Sequence, residues 1–307
     1  MKKYTHAITI LLFIAGLSIS SCKKDETTPS DGNSNPTARE LALNDYNANY
    51  LGTAVTSTGW TGSTASCTAG LCSAAMNTAV IKRINYFRRM VGLNDECTLD
   101  ASLYSQEQET ALMMTANNQL NHYPPTTWTC YTSLGALGAS SSNIALGFAG
   151  TASITGFIND FGTGNEMVGH RRWILHSRKQ SFSYGATNNS MALYVASNDT
   201  NSVVPDYIAY PPKGYVPAPL VFARWSFGIP GANFASANVS MTGPGGVVVP
   251  VNVISNNANG YGDNTIVWEP TGVNLSSTSD LTYNVIITNV GSAPLSTYNY
   301  DVVIFKP

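Results

Sequence analysis

The pattern of apolar residues changes once along the chain, at Pro211–Pro212. Upstream, apolar side chains recur at the spacing of amphipathic helices, and the clearest such face comprises Val80, Ile84, Phe87 and Val91. Downstream, short runs rich in β-branched and aromatic residues alternate with turns such as residues 244–246 and 260–264. The sequence therefore predicts a mixed α and β region followed by an all-β region.

Each region supplies enough periodic segments for a core of its own. In the first, helices are predicted at Leu103–Met114, Ile154–Phe161 and Arg171–Ser177, before a hairpin of Ser183–Thr187 and Met191–Ala196. In the second, the predicted strands are Leu220–Phe227, Asn238–Thr242, Val247–Ile254, Thr265–Trp268, Thr282–Thr288 and Tyr298–Phe305. Regular short strands of this kind predict an immunoglobulin-like β-sandwich over residues 211–307.

The N-terminus has the features of an export signal. Lys2 and Lys3 precede an apolar run, Ala7–Ile19, which is too short to span a bilayer but has the length of a signal-peptide core. The residues Ile19-Ser20-Ser21-Cys22 then resemble the bacterial lipobox, in which the cysteine becomes the lipidated first residue of the mature protein. We expect residues 1–21 to be a lipoprotein signal peptide and Cys22 to anchor the protein in a membrane.

The segment after Cys22 is polar and nearly devoid of large apolar side chains. Residues 22–41 are therefore predicted to be a flexible tether, and residues 42–75 an N-terminal extension of the first domain. The Lys-Lys-Asp-Glu that follows Cys22 is similar to lipoproteins of Bacteroidota-type bacteria. We expect an exported bacterial lipoprotein anchored in the outer membrane, on its periplasmic face or at the cell surface.

Four further cysteines fit an exported protein, because disulfides persist in oxidising compartments. The short spacing of Cys67 and Cys72 suggests a local bridge, which leaves Cys97 to pair with Cys130. The rival interpretation is a four-cysteine zinc site. Such sites usually carry two closely spaced Cys pairs, so disulfides are favoured.

Charge excludes one class of partner. Only 11% of residues are charged and the formal net charge is −2. A nucleic-acid-binding protein needs a basic excess or patch, so no nucleic-acid partner is expected. The one local basic run, Arg171, Arg172, Arg178 and Lys179, is interpreted as a solvated helix face.

Several short motifs together resemble one family. In chain order they are Ile84-Asn85-Tyr86-Phe87-Arg88, Leu120-Asn121-His122, Ser142-Asn143-Ile144-Ala145, Gly169-His170-Arg171-Arg172-Trp173-Ile174-Leu175 and Tyr184-Gly185-Ala186. Their order is similar to that in the CAP family, also known as SCP or PR-1-like. The resemblance implies an α-β-α sandwich over residues 76–200, and the whole chain is expected to be α+β.

The resemblance also implies a shallow cavity lined by two histidines and two acids. His122 and His170 match the histidines, and Asp160 takes the place of the second acid. The first acid falls on Ser142, which cannot ionise, and Glu166 is the residue that would compensate. Two imidazoles and a carboxylate suit Zn²⁺ or another divalent cation, and the same groups suit proton transfer. The alternative is that both histidines are structural.

Three functions remain open at this level. The first is a non-enzymatic module that binds a lipid-like ligand, a glycan or a protein partner. The second is a metal-assisted or acid/base hydrolase of cell-wall or peptide substrates, acting through His122, Asp160 and His170. The third is a structural surface spacer. The serine at position 142 and the absence of G-x-S-x-G and H-E-x-x-H motifs favour a binding protein over an enzyme.

Overall fold

The computed structural model describes residues 35–93, 96–196, 204–256 and 260–307. The predicted signal peptide, Cys22 and most of the tether lie outside these residues. Within them the α-helices are Ala38–Asp45 (α1), Ala74–Met90 (α2), Tyr104–Asn117 (α3), Ser133–Ser141 (α4), Thr151–Asn159 (α5) and Gly169–Ile174 (α6). The described residues form no helix that combines the length and the apolarity needed to cross a bilayer.

The strands fall into three sheets. Their bounds are Thr98–Leu99 (β1), Ser142–Leu146 (β2), Ser181–Ala186 (β3), Ser190–Tyr194 (β4), Ile208–Tyr210 (β5), Gly214–Pro217 (β6), Trp225–Gly228 (β7), Asn238–Thr242 (β8), Val248–Val249 (β9), Val251–Ser255 (β10), Thr265–Pro270 (β11), Leu281–Thr288 (β12) and Tyr298–Phe305 (β13). The sheet orders are β1-β3-β4-β2, β10-β11-β7-β5 and β6-β13-β12-β8-β9. The mixed α and β content confirms the α+β class.

The first sheet lies between two layers of helices. Strand β4 alternates its side chains: Met191 and Leu193 join a core with α2, α5 and α6, whereas Ala192 joins a smaller cluster with Met114 of α3 and Ala139 of α4. This alternation is the period-two pattern of a strand buried on both faces. The resulting order of helices, sheet and helices is the α-β-α arrangement that the resemblance implied.

The other two sheets share one apolar core. Trp225 and Trp268 from one sheet and Tyr283 from the other are buried together, with ring centroids 6.4–6.5 Å apart. The predicted strands at Asn238–Thr242 and Tyr298–Phe305 are confirmed to the residue. The predicted strand Leu220–Phe227 is wrong in its first half, because residues 218–220 form a 3₁₀ turn after Pro217.

The first helix begins inside the segment that composition predicted as a tether, so that prediction is wrong for residues 38–41. Thr37 and Glu40 form a reciprocal capping box at the start of α1. Arg39 then fixes the helix against the β-rich part, through an ion pair with Asp280 (3.1 Å) and a cation–π contact with Phe305. Polar composition alone therefore did not reveal this helix. It is stabilised by its own capping residues and by contacts with residues near the C-terminal end of the chain.

The cysteine pairing differs from the predicted one. Cys67 is bonded to Cys130, whereas Cys72 and Cys97 retain thiols. The predicted Cys67–Cys72 and Cys97–Cys130 bridges are therefore wrong. Cys72 lies instead beside strand β3, where its thiol donates to the carbonyl of Ala186. Spacing in sequence did not reveal that the loop at Cys67 folds toward the loop between α3 and α4.

Candidate functional site

Two hydrogen bonds join Asp160 and His170, two residues of the predicted site. Asp160 ends α5 in a left-handed conformation (φ 50°), and His170 is the second residue of α6. The Asp160 carboxylate accepts from the backbone N–H of His170 (2.9 Å) and from its Nδ1 (2.7 Å), and the side chain of Asp160 is fully buried. The imidazole of His170 also stacks on Phe157. Both the position and the tautomer of His170 are therefore fixed.

His122 is held in a similar way. It lies in the loop after α3, which ends at Asn118 in a left-handed conformation. Its Nδ1 lies 2.7 Å from the carbonyl oxygen of Ala139, an acceptor, so Nδ1 carries the proton. When neutral, both histidines keep Nε2 as a hydrogen-bond acceptor, since Nδ1 is the donor in each ring.

These two histidines line two adjoining cavities. The first, the polar cavity of about 420 Å³, has somewhat more polar than apolar lining surface and includes Ser140, Ser141, Ser142, Asn143, Trp173 and Tyr261. The second, of about 380 Å³, is mostly apolar and includes Leu120, Ile144, Phe148, Phe157 and Phe161. His122, Asn165 and His170 belong to both. We call the two together the groove.

Ser142 has an acidic partner that the sequence did not suggest. Its Oγ donates to Oε2 of Glu107, at 2.6 Å, and Gln106 donates to the other carboxylate oxygen. Glu107 lies on α3 behind the wall of the polar cavity and is wholly buried. Burial raises the pKa of Glu107 to about 7, although both hydrogen bonds lower it. The acid missing at position 142 is therefore replaced by a buried carboxyl one side chain away.

Glu166 does not take that place. Its carboxylate accepts a hydrogen bond from the backbone N–H of Gly164, which holds the pKa of Glu166 below its ordinary value. It lines neither cavity, although its neighbours Asn165 and Met167 do. Glu107 does not line either cavity, but it is the carboxyl to which Ser142 bonds, and it lies on α3 rather than in the turn that holds Glu166.

The arrangement of donors does not fit the Zn²⁺ ion that the sequence suggested. Both oxygens of Asp160 accept hydrogen bonds from His170, and the Asp160 side chain has no exposed surface. Among the residues that the structure describes, no three His, Cys, Asp or Glu side chains form a group that could hold a metal ion. Asp160 positions His170 and is not placed as a ligand.

The basic run beside His170 is structural. Arg171, Arg172 and Lys179 are buried, so their interpretation as a solvated helix face is wrong; Arg178 alone is exposed. Arg171 donates to backbone carbonyls at the end of α5 and to Ser226 Oγ of β7. These arginines tie α6 to its neighbours, including the β-rich part, and so support the wall that carries His170.

Tyr261 and Trp173 were also missed as groove residues. Trp173 was visible within the Gly-His-Arg motif, three residues after His170, which places both on the α6 wall. Tyr261 comes from a turn of the β-rich part, flanked by Gly260 and Gly262. The two glycines were the available signal, because glycine often marks close approach of backbone to another element.

Comparison with known proteins identifies one part of the chain. Residues 81–201 match the model of the CAP family, described as the cysteine-rich secretory protein family. No curated protein matches the chain, and no solved structure does. The matched segment includes His122, Ser142, Asp160 and His170 and the sheet with its helices. The chain therefore contains a CAP domain, and the groove is built largely from that domain.

Proposed function

We propose that this protein is a lipid-anchored, non-enzymatic binding module whose groove takes a lipid-like ligand with an uncharged, hydroxyl-bearing head. The observation that carries the proposal is the continuity of a polar and an apolar cavity through shared residues, His122, Asn165 and His170. A ligand with an apolar body and a polar head matches both cavities at once. Their size is in the usual range of small-molecule sites.

The apolar cavity supports an apolar body. Leu120 and Phe161 are 47% and 62% exposed at its edge, next to the half-buried ring of Phe148. Apolar side chains left in contact with water gain free energy when a ligand covers them, by roughly 25 cal/mol per Å² of apolar surface. A hydrocarbon chain or ring system that lies along this cavity would cover these side chains and be stabilised in this way.

The polar cavity supports an uncharged head. Among the residues that the structure describes, its lining offers hydroxyl, amide and imidazole groups and no Lys, Arg, Asp or Glu. The one acid among the described residues of the apolar cavity is Asp160, whose side chain is fully buried. A charged head group would lose its hydration shell in this cavity without pairing with a group of opposite charge, and desolvating an unpaired charge is unfavourable. A hydroxyl group, by contrast, can donate to a histidine Nε2 or to Ser140 Oγ, and it can accept from Asn143 or Tyr261.

Three probes with the same twelve-carbon chain test this proposal: monolaurin, laurate and dodecyltrimethylammonium, each below its critical micelle concentration. We expect monolaurin to bind and to raise the free energy of unfolding, by about 2.7 kcal/mol at 100 times Kd. Calorimetry should show at least tenfold weaker binding of both ionic probes. If none of the three binds, or if an ionic probe binds most tightly, the proposal is wrong.

A matched pair of variants tests whether monolaurin binds at the apolar cavity. Phe161→Ala removes an exposed ring at the apolar cavity, whereas Leu295→Ala removes a side chain of similar exposure (59%) outside both cavities. Phe161→Ala should weaken monolaurin binding about tenfold, because about 1.4 kcal/mol of apolar contact is lost. Leu295→Ala should leave the affinity unchanged. Equal effects would point to nonspecific adsorption. A glycan or protein ligand would give no dependence on the hydrocarbon chain.

The membrane anchor is part of the same proposal. The lipobox-like sequence supports lipidation of Cys22 and an outer-membrane location, on the periplasmic face or at the cell surface. Expressed with its own leader in a bacterium, the wild-type protein should partition into Triton X-114 detergent and fractionate with the outer membrane. Cys22→Ser should move it to the aqueous phase. Equal partitioning of both forms would exclude the anchor.

The pairing of His170 with Asp160 favours one second candidate, an acid/base hydrolase that needs no metal. A histidine whose Nδ1–H is held by a buried carboxylate is oriented as general bases are in hydrolytic sites. The nearby hydroxyls do not support it, because Ser140 and Ser141 donate to Leu137 and Ser142 to Glu107. Hydrolysis of muropeptides or casein by the wild type that disappears in His170→Ala would establish it. Equal rates would exclude it.

A further inference from the structure

A turn of the β-rich part closes one side of the groove. Gly260 and Tyr261 line the polar cavity together with His170 and Trp173 of α6. The two sets of residues are about 90 positions apart in sequence. Trp173 packs against the core of the first sheet, whereas Gly260 and Tyr261 lie in the turn before β11, whose Ile266 and Trp268 belong to the core of the other two sheets. The polar cavity therefore has a wall that the CAP domain does not supply.

Two glycines allow this approach. Gly262 has φ 43°, and a Cβ there would lie 2.7 Å from the carbonyl oxygen of Arg172. A Cβ on Gly169, at the start of α6, would lie 2.8 Å from Cδ1 of Tyr261. Contacts under 3.0 Å are not tolerated without displacement, so both positions require a glycine for Tyr261 to lie where it does.

The turn is anchored directly below Tyr261. The carboxylate of Asp263 accepts from the backbone N–H of Ser177 (2.7 Å) and from its Oγ (2.9 Å). The guanidinium of Arg172 donates to the carbonyl of Asp263 and lies 5.5 Å from the ring centroid of Tyr261. All three anchoring residues are buried. Buried hydrogen bonds of this kind hold a side chain in one position.

We propose that Tyr261 is a specificity-determining residue that contacts the head of the bound ligand, so that the β-rich part completes the binding site. The inference rests on the proposed function and deepens it. A tyrosine offers an apolar ring face and a hydroxyl that both donates and accepts. That combination suits a head made of carbons bearing hydroxyl groups, such as glycerol or a sugar. With a head that has a single hydroxyl, Tyr261 can form only one hydrogen bond and gains no further contact from its ring.

The test compares two neutral probes with the same twelve-carbon chain, monolaurin and dodecan-1-ol, by calorimetry on the full-length protein. Tyr261→Ala should weaken monolaurin binding about tenfold and dodecanol binding less than threefold. Tyr261→Phe, which keeps the ring, should lose affinity for monolaurin only in part. The matched control is Tyr131→Ala, which removes a half-buried tyrosine outside both cavities and should bind both probes as the wild type does.

A second variant moves Tyr261 without changing it. Gly169→Ala introduces the Cβ that collides with its ring, and it should reproduce the selective loss of monolaurin affinity while the protein remains folded by circular dichroism. Unchanged affinity in both Tyr261→Ala and Gly169→Ala would overturn the inference and leave the proposed function intact. An equal loss for both probes would also overturn it, since Tyr261 would then only support the groove. If the wild type binds neither probe, the proposed function fails and this inference with it.

Discussion

Ser142 Oγ donates a 2.6 Å hydrogen bond to Oε2 of Glu107, which joins the first residue of β2 to the buried face of α3. The family pattern places an acid at position 142 itself. Here the hydroxyl lines the cavity and the carboxyl lies behind it, shielded from water. This relation sets the chemistry of the polar cavity, because a neutral hydroxyl rather than a carboxylate faces a ligand.

The buried carboxyl predicts a specific pH dependence of stability. In an unfolded chain Glu107 ionises near its ordinary pKa of 4.5, whereas in the folded protein burial raises its pKa to about 7. The folded state therefore binds this proton more tightly, and its contribution to stability is full below pH 4.5, falls between pH 4.5 and 7 and is constant above. The loss should be about 3 kcal/mol, at about 1.36 kcal/mol per pH unit.

Urea unfolding of Glu107→Gln at several pH values between 4 and 8 measures this term. The variant should become more stable relative to the wild type as the pH rises through that window, because an amide cannot ionise. Ser142→Ala removes a hydrogen bond that lowers the pKa of Glu107, so it should extend the loss to higher pH and make its total larger. A difference between Glu107→Gln and wild type that does not vary with pH would contradict the assignment.

The buried carboxylate of Asp160 predicts a large cost for its removal. Asp160→Ala leaves the N–H of His170, its Nδ1–H and the N–H of Arg171 without their acceptor. Each buried donor left without an acceptor costs about 1–3 kcal/mol, so the loss should total about 3 kcal/mol or more, which chemical denaturation can resolve. Asp160→Asn keeps one acceptor and should cost less. Asp301→Ala, at an exposed position, should stay within about 0.5 kcal/mol of wild type; equal costs at both sites would refute the role of Asp160.

The parts of this site that the sequence predicted depend on interactions between residues that are close together in the chain. The helix containing Val80, Ile84 and Phe87 follows from its spacing, since an apolar stripe must be buried. Asp160 and His170 lie ten residues apart across one short connection, and the motif that contains His170 marks its position. Interactions inside one short segment depend on few unknown angles, so sequence pattern is a good guide to them.

The rest depends on contacts that sequence separation does not encode. Glu107 meets Ser142 only because α3 packs across the sheet, and Tyr261 reaches Gly169 only because two separate cores pack together. The pairing of Cys67 was missed for a related reason. Loop-closure entropy grows only with the logarithm of loop length, so a distant cysteine is barely disfavoured relative to a near one.

The close packing of α3 on the first sheet predicts that Gly185 cannot be replaced. A Cβ at this position of β3 would lie 2.2 Å from the backbone nitrogen of Gln108 in α3. The colliding atoms belong to backbone, so neither can rotate away and the helix would have to move off the sheet. Gly185→Ala should therefore cost 3 kcal/mol or more, at or beyond the upper end of overpacking.

Thermal unfolding gives the measurement, with Gly147→Ala as the control. A Cβ added at Gly147 would meet no atom within 4 Å, so this substitution introduces no collision. Because Gly147 has φ 91°, its alanine variant reports backbone strain alone, which amounts to about 1–2 kcal/mol. A smaller cost at Gly185 than at Gly147 would show that α3 does not approach β3 so closely.

The disulfide predicts both a peptide map and a stability change. Digestion without reductant should yield one cross-linked pair, Cys67 with Cys130, and alkylation of the unfolded, unreduced chain should modify Cys72 and Cys97. The bridge closes a loop of 63 residues in sequence separation, so its loss in Cys67→Ser/Cys130→Ser should cost about 4 kcal/mol through the entropy of the unfolded chain. Cys72→Ser removes a thiol that is in no bridge and should cost far less. A cross-linked peptide containing Cys72 or Cys97 would overturn the pairing, whatever the variants do.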